Sequence, residues 1–564
     1  MSWTLREVYR AILSREKGYY KKVWGNALNV CLAYPHAYRT GMSNLGFQTV
    51  YDLVNRHPQG LCERVFLPDP DQEAEFAKQE IPLFSLESQR PLKDFDIIAF
   101  SLSFENDFPN ILKILAMGGI PLLSQDRTGQ EPLVLGGGIA VTLNPEQLAD
   151  FFDLFILGEA EQTISPFIDA CNAARLSGLA REELLTGLQK EVTGVYVPRF
   201  YQVSYGEDQQ IAARLPVLSG LPVKIKVARL ADIDSCLTEQ CITAADTELG
   251  NMFLVEVSRG CGRGCRFCAA GFVCRPVRFR RAELLKTSFL RALEQHRKIG
   301  LLGTAVSDHP ELTLLCRFIR ERGGKFAIGS LRLDRLSREL VRLVRESGTE
   351  TVSLAPEAGS QRLRDLMGKG FTEEHILRAV VLLCEEGIAN IRLYFMVGLP
   401  TEEDEDIAAL IGLTKKIRQL AAQHSAGGRP FKRLTLSINQ FIPKAATPWQ
   451  WFPLMETGMV KKRVKKVVEA FRRESSVRII HDQPKWNYVQ TLLSLGDRRV
   501  GSILLALHQY GGNWPQALKE SGLNPDFYVY RQKDTAENLP WDFIDSGVSR
   551  GFLQREYDRT QGPS

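Results

Sequence analysis

The order of apolar runs along the chain is the feature that most constrains its fold. In the first part of the chain, short apolar runs alternate with segments of helical periodicity. The runs lie at 26–34, 62–68, 96–102, 132–138 and 154–159, and the helical segments lie at 42–57, 104–117 and 160–175. Strands that alternate with helices predict a parallel sheet with helices on both faces. Ligands of such folds bind at the carboxyl ends of the strands, so we expect a site there.

A second series of the same kind begins at residue 252. Its predicted strands lie at 252–258, 305–307, 325–332, 351–357, 391–398 and 433–443, and its helices lie near 281–298, 310–322, 336–347, 360–367, 373–386 and 402–422. About six strand–helix units in a row predict a partial or full parallel barrel.

The two series divide the chain into five predicted parts. These are an N-terminal helix over 1–26, a sheet domain over 27–175, a linker or extension over 176–249, a barrel over 250–475 and a small, mainly helical domain over 480–564. The predicted fold class is therefore α/β, with a Rossmann-like parallel sheet, then a partial (β/α)6 barrel, then a helical C-terminal domain.

Composition excludes several classes of protein. Of the 564 residues, 44% are hydrophobic and 24% charged, which is typical of globular and not of disordered chains. The 71 basic and 66 acidic residues are too evenly balanced to imply nucleic-acid binding by themselves. The sequence contains no apolar stretch long enough for a transmembrane helix, and its charged start lacks a signal peptide core. We expect a cytoplasmic protein with no membrane partner, in which the eleven cysteines serve metal chemistry or are buried thiols.

A loop with three cysteines is the most informative segment. Cys261-Gly-Arg-Gly-Cys265-Arg-Phe-Cys268 directly follows a predicted strand, and its glycines allow the loop to wrap closely around a metal group. Thiolates suit soft iron and zinc. A structural zinc site has four protein ligands, and Cys274 would be a candidate for the fourth. A [4Fe–4S] cluster held by three cysteines would instead leave one iron open for a small ligand.

This spacing, with an aromatic residue before the last cysteine, resembles that of the radical S-adenosylmethionine (SAM) superfamily. The resemblance implies that Cys261, Cys265 and Cys268 hold a [4Fe–4S] cluster and that its open iron binds SAM. One electron, delivered by a reductant such as ferredoxin or flavodoxin, would cleave SAM to methionine and a 5′-deoxyadenosyl radical. That radical would abstract hydrogen from an unreactive substrate carbon. No catalytic residue beyond the cluster ligands is identified from the sequence.

Several later segments resemble the SAM-binding segments of the same superfamily. Gly303 follows Gly300-Leu-Leu at the end of the second predicted unit, and Ser330-Leu-Arg332 and Glu357 lie at the ends of later strands. Gly398 lies in a glycine-bearing fifth strand. The resemblance implies that these residues contact SAM.

The sheet domain resembles the cobalamin-binding domains that precede some radical SAM barrels. Gly136-Gly137-Gly138 and the segments 144–146 and 158–161 carry this resemblance. It implies that the three glycines face a ligand or the barrel mouth. The loop after the first strand has His36 but no aspartate two residues before it, unlike domains that supply a histidine to cobalt. We expect either cobalamin without histidine on cobalt, or a sheet domain that only docks on the barrel.

The cysteines of the first domain can be compared with those of the methylthiotransferases, a neighbouring family. Methylthiotransferases carry a second cluster on three cysteines of their first domain. Here Cys31 and Cys62 lie on the first two strands, but the third strand ends in Ser101-Leu-Ser103 and Cys171 lies on a helix. We interpret these cysteines as small buried apolar residues.

Basic residues are concentrated at 460–473, in a predicted amphipathic helix with valines on one face. The helix is either a solvated surface or a phosphate-binding patch for RNA. Three hypotheses follow. The first is a radical SAM enzyme, including cobalamin-dependent methyl transfer; the second is an RNA- or ribosome-associated modification enzyme that binds through this helix; the third is a non-catalytic iron–sulfur scaffold.

Overall fold

The computed structural model describes residues 3–25, 27–244, 246–250, 252–295, 298–329, 331–425 and 430–561. Its first part contains α1 (Trp3–Ser14), β1 (Leu28–Tyr34), α2 (Tyr38–Gly41), α3 (Leu45–Arg56), β2 (Gly60–Phe66), α4 (Pro70–Gln79), β3 (Ile97–Ser101), α5 (Phe108–Met117), β4 (Leu133–Gly137), α6 (Ile139–Leu143), β5 (Leu154–Ile156), α7 (Ala160–Ser177), α8 (Arg181–Glu191) and β6 (Val195–Tyr196). The expected N-terminal helix over 1–26 is wrong beyond Ser14, where α1 ends.

Strands β1 to β6 form one sheet in the order β2-β1-β3-β4-β5-β6, in which only β6 is antiparallel. The strand order reverses between β1 and β3, and in sheets of this kind the ligand crevice lies outside the strand ends at that point. Side chains of the central strands are buried on both faces because helices cover both. The parallel sheet domain predicted from alternating strands and helices is confirmed.

A short connecting region follows, with β7 (Tyr201–Tyr205), β8 (Ile211–Pro216) and β9 (Ile225–Lys226). Strands β7 and β8 form an antiparallel hairpin. The chain near Thr238 then runs along the edge of the first barrel strand, where the N–H of Glu256 donates to the Thr238 carbonyl at 3.0 Å.

The barrel region contains β10 (Phe253–Arg259), β11 (Arg278–Phe279), α9 (Ala282–Gln295), β12 (Lys298–Gly303), α10 (Leu312–Glu321), β13 (Lys325–Ile328), α11 (Arg338–Glu346), β14 (Thr351–Glu357), α12 (Gln361–Leu366), α13 (Glu373–Glu385), β15 (Asn390–Val397), α14 (Asp404–Gln423), β16 (Arg433–Gln440), α15 (Thr457–Ala470) and β17 (Val477–His481). Its strands form two four-stranded sheets, β11-β10-β12-β13 and β14-β15-β16-β17. All pairs except β10–β11 are parallel, so the predicted partial barrel is confirmed.

Two details of the barrel differ from the sequence prediction. The predicted strand at 305–307 is wrong, because the second strand is β12 and the chain after it forms a 3₁₀ turn. The predicted helix near 281–298 is followed by no predicted strand before 305, and pairing with β10 makes Lys298–Gly303 the second strand. A parallel strand that the sequence analysis did not predict, β17, follows α15 and extends the second sheet.

The C-terminal part contains α16 (Pro484–Leu495), α17 (Val500–Gln509), α18 (Trp514–Glu520), α19 (Asp526–Val529), β18 (Ile544–Asp545) and α20 (Arg550–Asp558). Residues of α16 and α17 share the apolar core of the sheet domain. The later residues pack against the barrel mouth, where Trp541 and Tyr557 join a core with Phe272 and Trp449. Among the helices of the described ranges, none is long and apolar enough to cross a membrane.

Candidate active site

Strand β10 carries the cysteine loop at its carboxyl end. Gly260 begins the loop at a φ of +78°, and a Cβ there would lie 2.0 Å from the carbonyl oxygen of Cys274. Only glycine fits this close approach. The N–H of Cys268 donates to the carbonyl of Cys265 at 3.0 Å, which closes a tight turn. Cys261, Cys265 and Cys268 are each half-buried, so their loop is accessible from the barrel mouth.

Two arginines between the cysteines brace this loop. The Arg263 guanidinium donates to Asp308 at 2.7 and 3.1 Å, at the end of the second strand. The Arg266 guanidinium donates to Glu556 on α20 at 3.0 Å, and the backbone N–H of Arg266 donates to the carbonyl of Met367. The loop is thereby tied to the barrel and to the C-terminal helix.

Burial and charge act in opposite directions on the thiols. Burial raises the pKa of Cys265, and the ammonium of Lys369 and the guanidinium of Arg332 offset part of that rise. Burial likewise raises the pKa of Cys268, while backbone N–H groups and Lys369 favour its thiolate. Cationic neighbours help a cysteine to bind metal, because the metal ligand is the thiolate.

Two residues that the sequence predicted to contact SAM lie beside this loop. Arg332 donates to Asp334 at 3.0 Å and is close enough to Cys265 to influence its charge. Glu357 ends β14 at a φ of +65° and pairs with Lys369 at 3.1 Å. Such a backbone conformation is uncommon outside glycine and often marks a functional site. The structure brings Arg332 and Glu357 to the same end of the barrel as the cysteines; their contact with SAM stays a prediction.

The other predicted SAM residues are spread around the mouth. Gly303 ends β12, where a Cβ would lie 2.4 Å from the Ser258 hydroxyl oxygen. Gly398 follows β15 and donates its N–H to the Glu402 carboxylate at 2.8 Å. Ser330 lies outside the described residues.

A cavity of about 500 Å³ connects the sheet domain to the barrel mouth. One end is an apolar slot between the sheet face and two helices. It is lined by Val30, Leu32, Ile97, Ala99, Leu135 and Ile156 from the strands and by Leu45, Thr49, Val50, Ile164 and Phe167 from α3 and α7. The other end reaches Ser258, Gly303, Thr304 and Cys274, at the carboxyl ends of β10 and β12. The cavity therefore ends beside the base of the cysteine loop.

The predicted glycine loop contributes unequally to this cavity. Gly137 and Gly138 line it, and Gly138 has a φ of +113°, where a Cβ would lie 2.4 Å from the Leu102 carbonyl oxygen. Gly136 points elsewhere, because a Cβ there would lie 2.7 Å from the Phe155 ring. None of the described lining residues is a histidine, and His36 is exposed and lies outside the cavity lining.

Ion pairs at the cavity wall join the two domains, and the sequence analysis did not identify them. Arg259 at the end of β10 pairs with Glu161 at 2.6 Å and with Glu159 at 3.2 Å, both from the sheet domain. Arg278 pairs with Glu159, and the fully buried Arg280 pairs with Glu256 at 2.6 Å. The segment 158–161 carries the resemblance to cobalamin domains, and in this structure its carboxylates also dock the barrel.

The other segment of that resemblance, 144–146, has a structural role. The Asn144 amide donates to the carbonyls of Ser494 and Gly496, and Glu146 pairs with Arg498 at 3.1 Å. Both contacts hold the C-terminal domain against the sheet. This role of the segment could not be assigned from the sequence, because the partners of Asn144 and Glu146 lie about 350 residues away.

The scattered cysteines are placed as predicted. Cys31, Cys62 and Cys171 are buried, and burial raises the pKa of each thiol. Cys274 lines the cavity. Within the described ranges, no group of three or more histidine, cysteine, aspartate or glutamate side chains, the three loop cysteines included, is placed so that it could hold a metal ion.

A three-cysteine loop at the mouth of a partial parallel barrel defines an iron–sulfur enzyme class. Residues 255–414 match the radical SAM superfamily, and residues 46–198 match the family described as the N-terminal part of radical SAM proteins. The chain belongs to the radical SAM superfamily and is an enzyme. Membership implies a [4Fe–4S] cluster and SAM as cofactors, and enzymes of this superfamily generally need a reductant.

Curated relatives extend this comparison. The chain is 28% identical to an uncharacterized protein of Methanocaldococcus jannaschii over 84% of its own length and 90% of the relative. It is 27% identical to the threonylcarbamoyladenosine tRNA methylthiotransferase of Aquifex aeolicus, over 29% of this chain and 42% of that enzyme. A tRNA-2-methylthio-N6-dimethylallyladenosine synthase of Natranaerobius thermophilus matches 29% of the chain at 28% identity.

Among solved structures, the chain is similar to the cobalamin-dependent SAM radical enzyme OxsB with aqua-cobalamin and SAM bound. The alignment has a TM-score of 0.49 and 14% identity and covers 95% of this chain and 79% of that chain. Coproporphyrinogen III oxidase from Escherichia coli aligns with a TM-score of 0.28 over 39% of this chain. Likenesses this distant assign no ligand to this chain.

Proposed function

We propose that this radical SAM enzyme modifies an unreactive carbon of its substrate and that its cavity between the domains binds cobalamin. The observation that carries the proposal is the position of the cavity. It begins in the slot beside Ala99 and ends at Ser258 and Gly303, next to the cysteine loop. A ligand there would contact the sheet domain and the reaction chamber of the barrel at once.

The lining fits part of a corrinoid. The slot offers apolar side chains on both walls, as an aromatic nucleotide base requires, and Gly137 and Gly138 let the backbone come close to a bulky ligand. The hydroxyl of Ser258 is 1% exposed and has no hydrogen-bond partner among the described residues. Buried polar atoms are normally paired, so this hydroxyl suits a polar group of a bound ligand.

When bound, the cluster with SAM would supply the radical and cobalamin would supply methyl transfer. The chain's own residues hold and shield these groups. Cys261, Cys265 and Cys268 would bind the cluster. Phe272, which follows the cysteine loop, is 1% exposed and lies 6.3 Å from the Phe552 ring of α20, so an apolar core adjoins the loop.

Cobalamin would bind without a protein imidazole on cobalt, because no described lining residue is histidine. Electron paramagnetic resonance of the Co(II) form tests this directly. A nitrogen superhyperfine pattern from a protein histidine would contradict it.

The cavity assignment is tested by filling the slot. After anaerobic reconstitution, iron, sulfide, SAM cleavage and corrinoid uptake are measured for the wild type, for Ala99→Leu, and for the control Ala173→Leu. Ala99 lines the slot, whereas Ala173 is exposed on the outer face of α7. We expect Ala99→Leu to lose corrinoid uptake and to keep SAM cleavage, with the control unchanged. Uptake by Ala99→Leu equal to that of the wild type, or no uptake by the wild type, would place cobalamin elsewhere or exclude it.

An RNA substrate on the basic helix is the second candidate. Lys461, Lys462, Lys465, Arg472 and Arg473 are exposed, but Arg472 and Arg473 follow the end of α15 at Ala470, and Lys465 pairs with Glu469 at 3.7 Å. The prediction that Arg463 belongs to this surface is wrong, because it is buried against Glu402 at 2.5 Å; Lys466 also pairs with Asp404. Four or five phosphate contacts would make log affinity fall with log salt at a slope of about −3. Binding that is insensitive to salt would leave the helix as a solvated surface.

The proposal also covers the electron donor and the cellular location of the enzyme. We propose a ferredoxin or flavodoxin as the electron donor and the cytoplasm as the location, where the cysteine thiols stay reduced. Electron transfer from either purified donor to the reconstituted protein tests the first part.

A further inference from the structure

The inner wall of the barrel carries arginines that the proposed chemistry does not use. Along β15, Ile391, Leu393 and Phe395 are buried in the core between the strands and the outer helices. Because side chains alternate along a strand, Arg392 and Tyr394 face the barrel interior, where they are half-buried.

Arg392 lacks partners in this position. Its Nε atom is buried without a hydrogen bond, and its terminal nitrogens form no hydrogen bond or ion pair with any described residue and are not buried. A buried Nε–H donor without an acceptor is unfavourable, because it loses water without replacement. The terminal nitrogens are therefore free to bind a ligand from the interior.

A second arginine lies in the same row of the sheet. The backbone register aligns Arg392 of β15 with Thr435 of β16 and Thr435 with Arg478 of β17. Neighbours in one row of a parallel sheet point to the same face, so the two arginines flank Thr435 at a backbone separation of roughly 10 Å. Arg478 is exposed and has no ion pair among the described residues. Ser353 of β14 continues the row on the other side of Arg392.

The carboxylates of the inner wall do not neutralise these arginines. Glu256 is held by Arg259 and Arg280, and Glu357 is held by Lys369. The row of Arg392, Thr435 and Arg478 therefore remains a pair of uncompensated cations with hydroxyls beside them. This arrangement matches a phosphate or a carboxylate, which arginine binds with two parallel hydrogen bonds.

We propose that Arg392 and Arg478, with Thr435 and Ser353, form an oxyanion site that binds a phosphate or carboxylate group of a small substrate inside the barrel. The inference rests on the proposed function only in taking the barrel interior as the substrate chamber. The cluster and the cavity lie at the carboxyl ends of the strands, whereas this row lies nearer their amino ends. A substrate anchored here would extend toward the cysteine loop and present a distant carbon there.

The test is anion binding to the reconstituted enzyme saturated with SAM, so that the carboxylate of SAM already occupies its own site. Isothermal titration calorimetry uses inorganic pyrophosphate and citrate as probes. We expect the wild type to bind at least one of them, and Arg392→Gln and Arg478→Gln each to weaken that binding about tenfold. Tighter pyrophosphate binding would indicate a phosphorylated substrate, and tighter citrate binding would indicate a carboxylate.

Arg317→Gln is the matched control, because Arg317 pairs with Glu339 on the outer helices. It should bind the anion as the wild type does. Arg392→Lys keeps the charge and should retain part of the binding, and Arg392→Gln should be no less thermally stable than the wild type because it removes an unpaired charge. Absence of anion binding by the wild type, or unchanged affinity in both glutamine variants, would overturn the proposal. These results do not depend on corrinoid uptake, so failure here is distinct from failure of the proposed function.

Discussion

Replacing Arg259 by glutamine should weaken the docking of the sheet domain on the barrel. Arg259 contacts Glu161 at 2.6 Å, Glu159 at 3.2 Å and Glu256 at 2.8 Å. The Glu161 side chain is only 5% exposed. Without Arg259, Glu161 keeps a 3.3 Å hydrogen bond from the Thr238 hydroxyl and a hydrogen bond from its own backbone N–H, while Arg278 and Arg280 stay with Glu159 and Glu256.

The expected loss follows from the carboxylate left behind. Removing one partner of a buried ion pair destabilises a protein by about 3–5 kcal/mol. We expect about 3 kcal/mol, at the lower end, because Arg280 still lowers the pKa of Glu161. Such a loss corresponds to a fall of roughly 6–12 °C in the unfolding midpoint of a domain of 150–250 residues.

The loss should depend on pH. Burial raises the pKa of Glu161, and Arg259 more than offsets this, so that the wild-type pKa lies below its usual value. In Arg259→Gln only burial and weaker neighbours remain, so the pKa rises. The orphaned carboxyl then takes up a proton at a higher pH than in the wild type, and its burial becomes less unfavourable once it is protonated. The difference from the wild type should therefore be largest at pH 8 and shrink toward pH 5.

Thermal unfolding followed by differential scanning fluorimetry at pH 8 and pH 5.5 measures this effect. Arg281→Gln is the control, because Arg281 is 73% exposed and its pair with Asp234 should contribute at most about 1 kcal/mol. A midpoint for Arg259→Gln within 2 °C of the wild type at pH 8 would refute the reasoning. Equal losses at both pH values would refute the assignment to Glu161.

Two other predictions concern the cluster and a buried lysine. Alanine at Cys261, Cys265 or Cys268 should abolish cluster absorbance and SAM cleavage, whereas Cys274→Ala should keep both; equal loss of the cluster in Cys274→Ala would contradict the three-ligand assignment. Burial lowers the pKa of Lys533 to about 7, so Lys533→Met should stabilise the protein at pH 7 by at least about 1 kcal/mol. The gain should shrink as pH rises toward 10.5 and vanish above it, where the lysine is neutral in both states. Unfolding midpoints across this pH range measure it, and a destabilised variant at pH 7 would contradict the burial argument.

Local patterns in the sequence were sufficient for the fold class. Alternating apolar runs and helical segments predicted the sheet domain and the barrel. Strands of a parallel sheet are buried on both faces, so each one appears in the sequence as a short, continuous apolar run. The prediction was wrong at 305–307 and beyond Ser14 because short segments carry little periodic signal, and strand pairing decides between alternatives. Strand β17 was not predicted because it is the edge strand of its sheet and is formed by pairing with β16, which local sequence patterns do not show.

Spacing alone made the cysteine loop a candidate site, because three cysteines within eight residues lie close together whatever the rest of the fold. Tertiary structure alone decided everything that depends on distant partners. It placed Lys369 and Glu357 beside the cysteines, used Asn144 to hold the C-terminal domain and buried Arg463 inside a helix that reads as a basic surface. It also aligned Arg392 with Arg478 across three strands, since register between strands is set by backbone pairing and packing and leaves no mark in the order of residues.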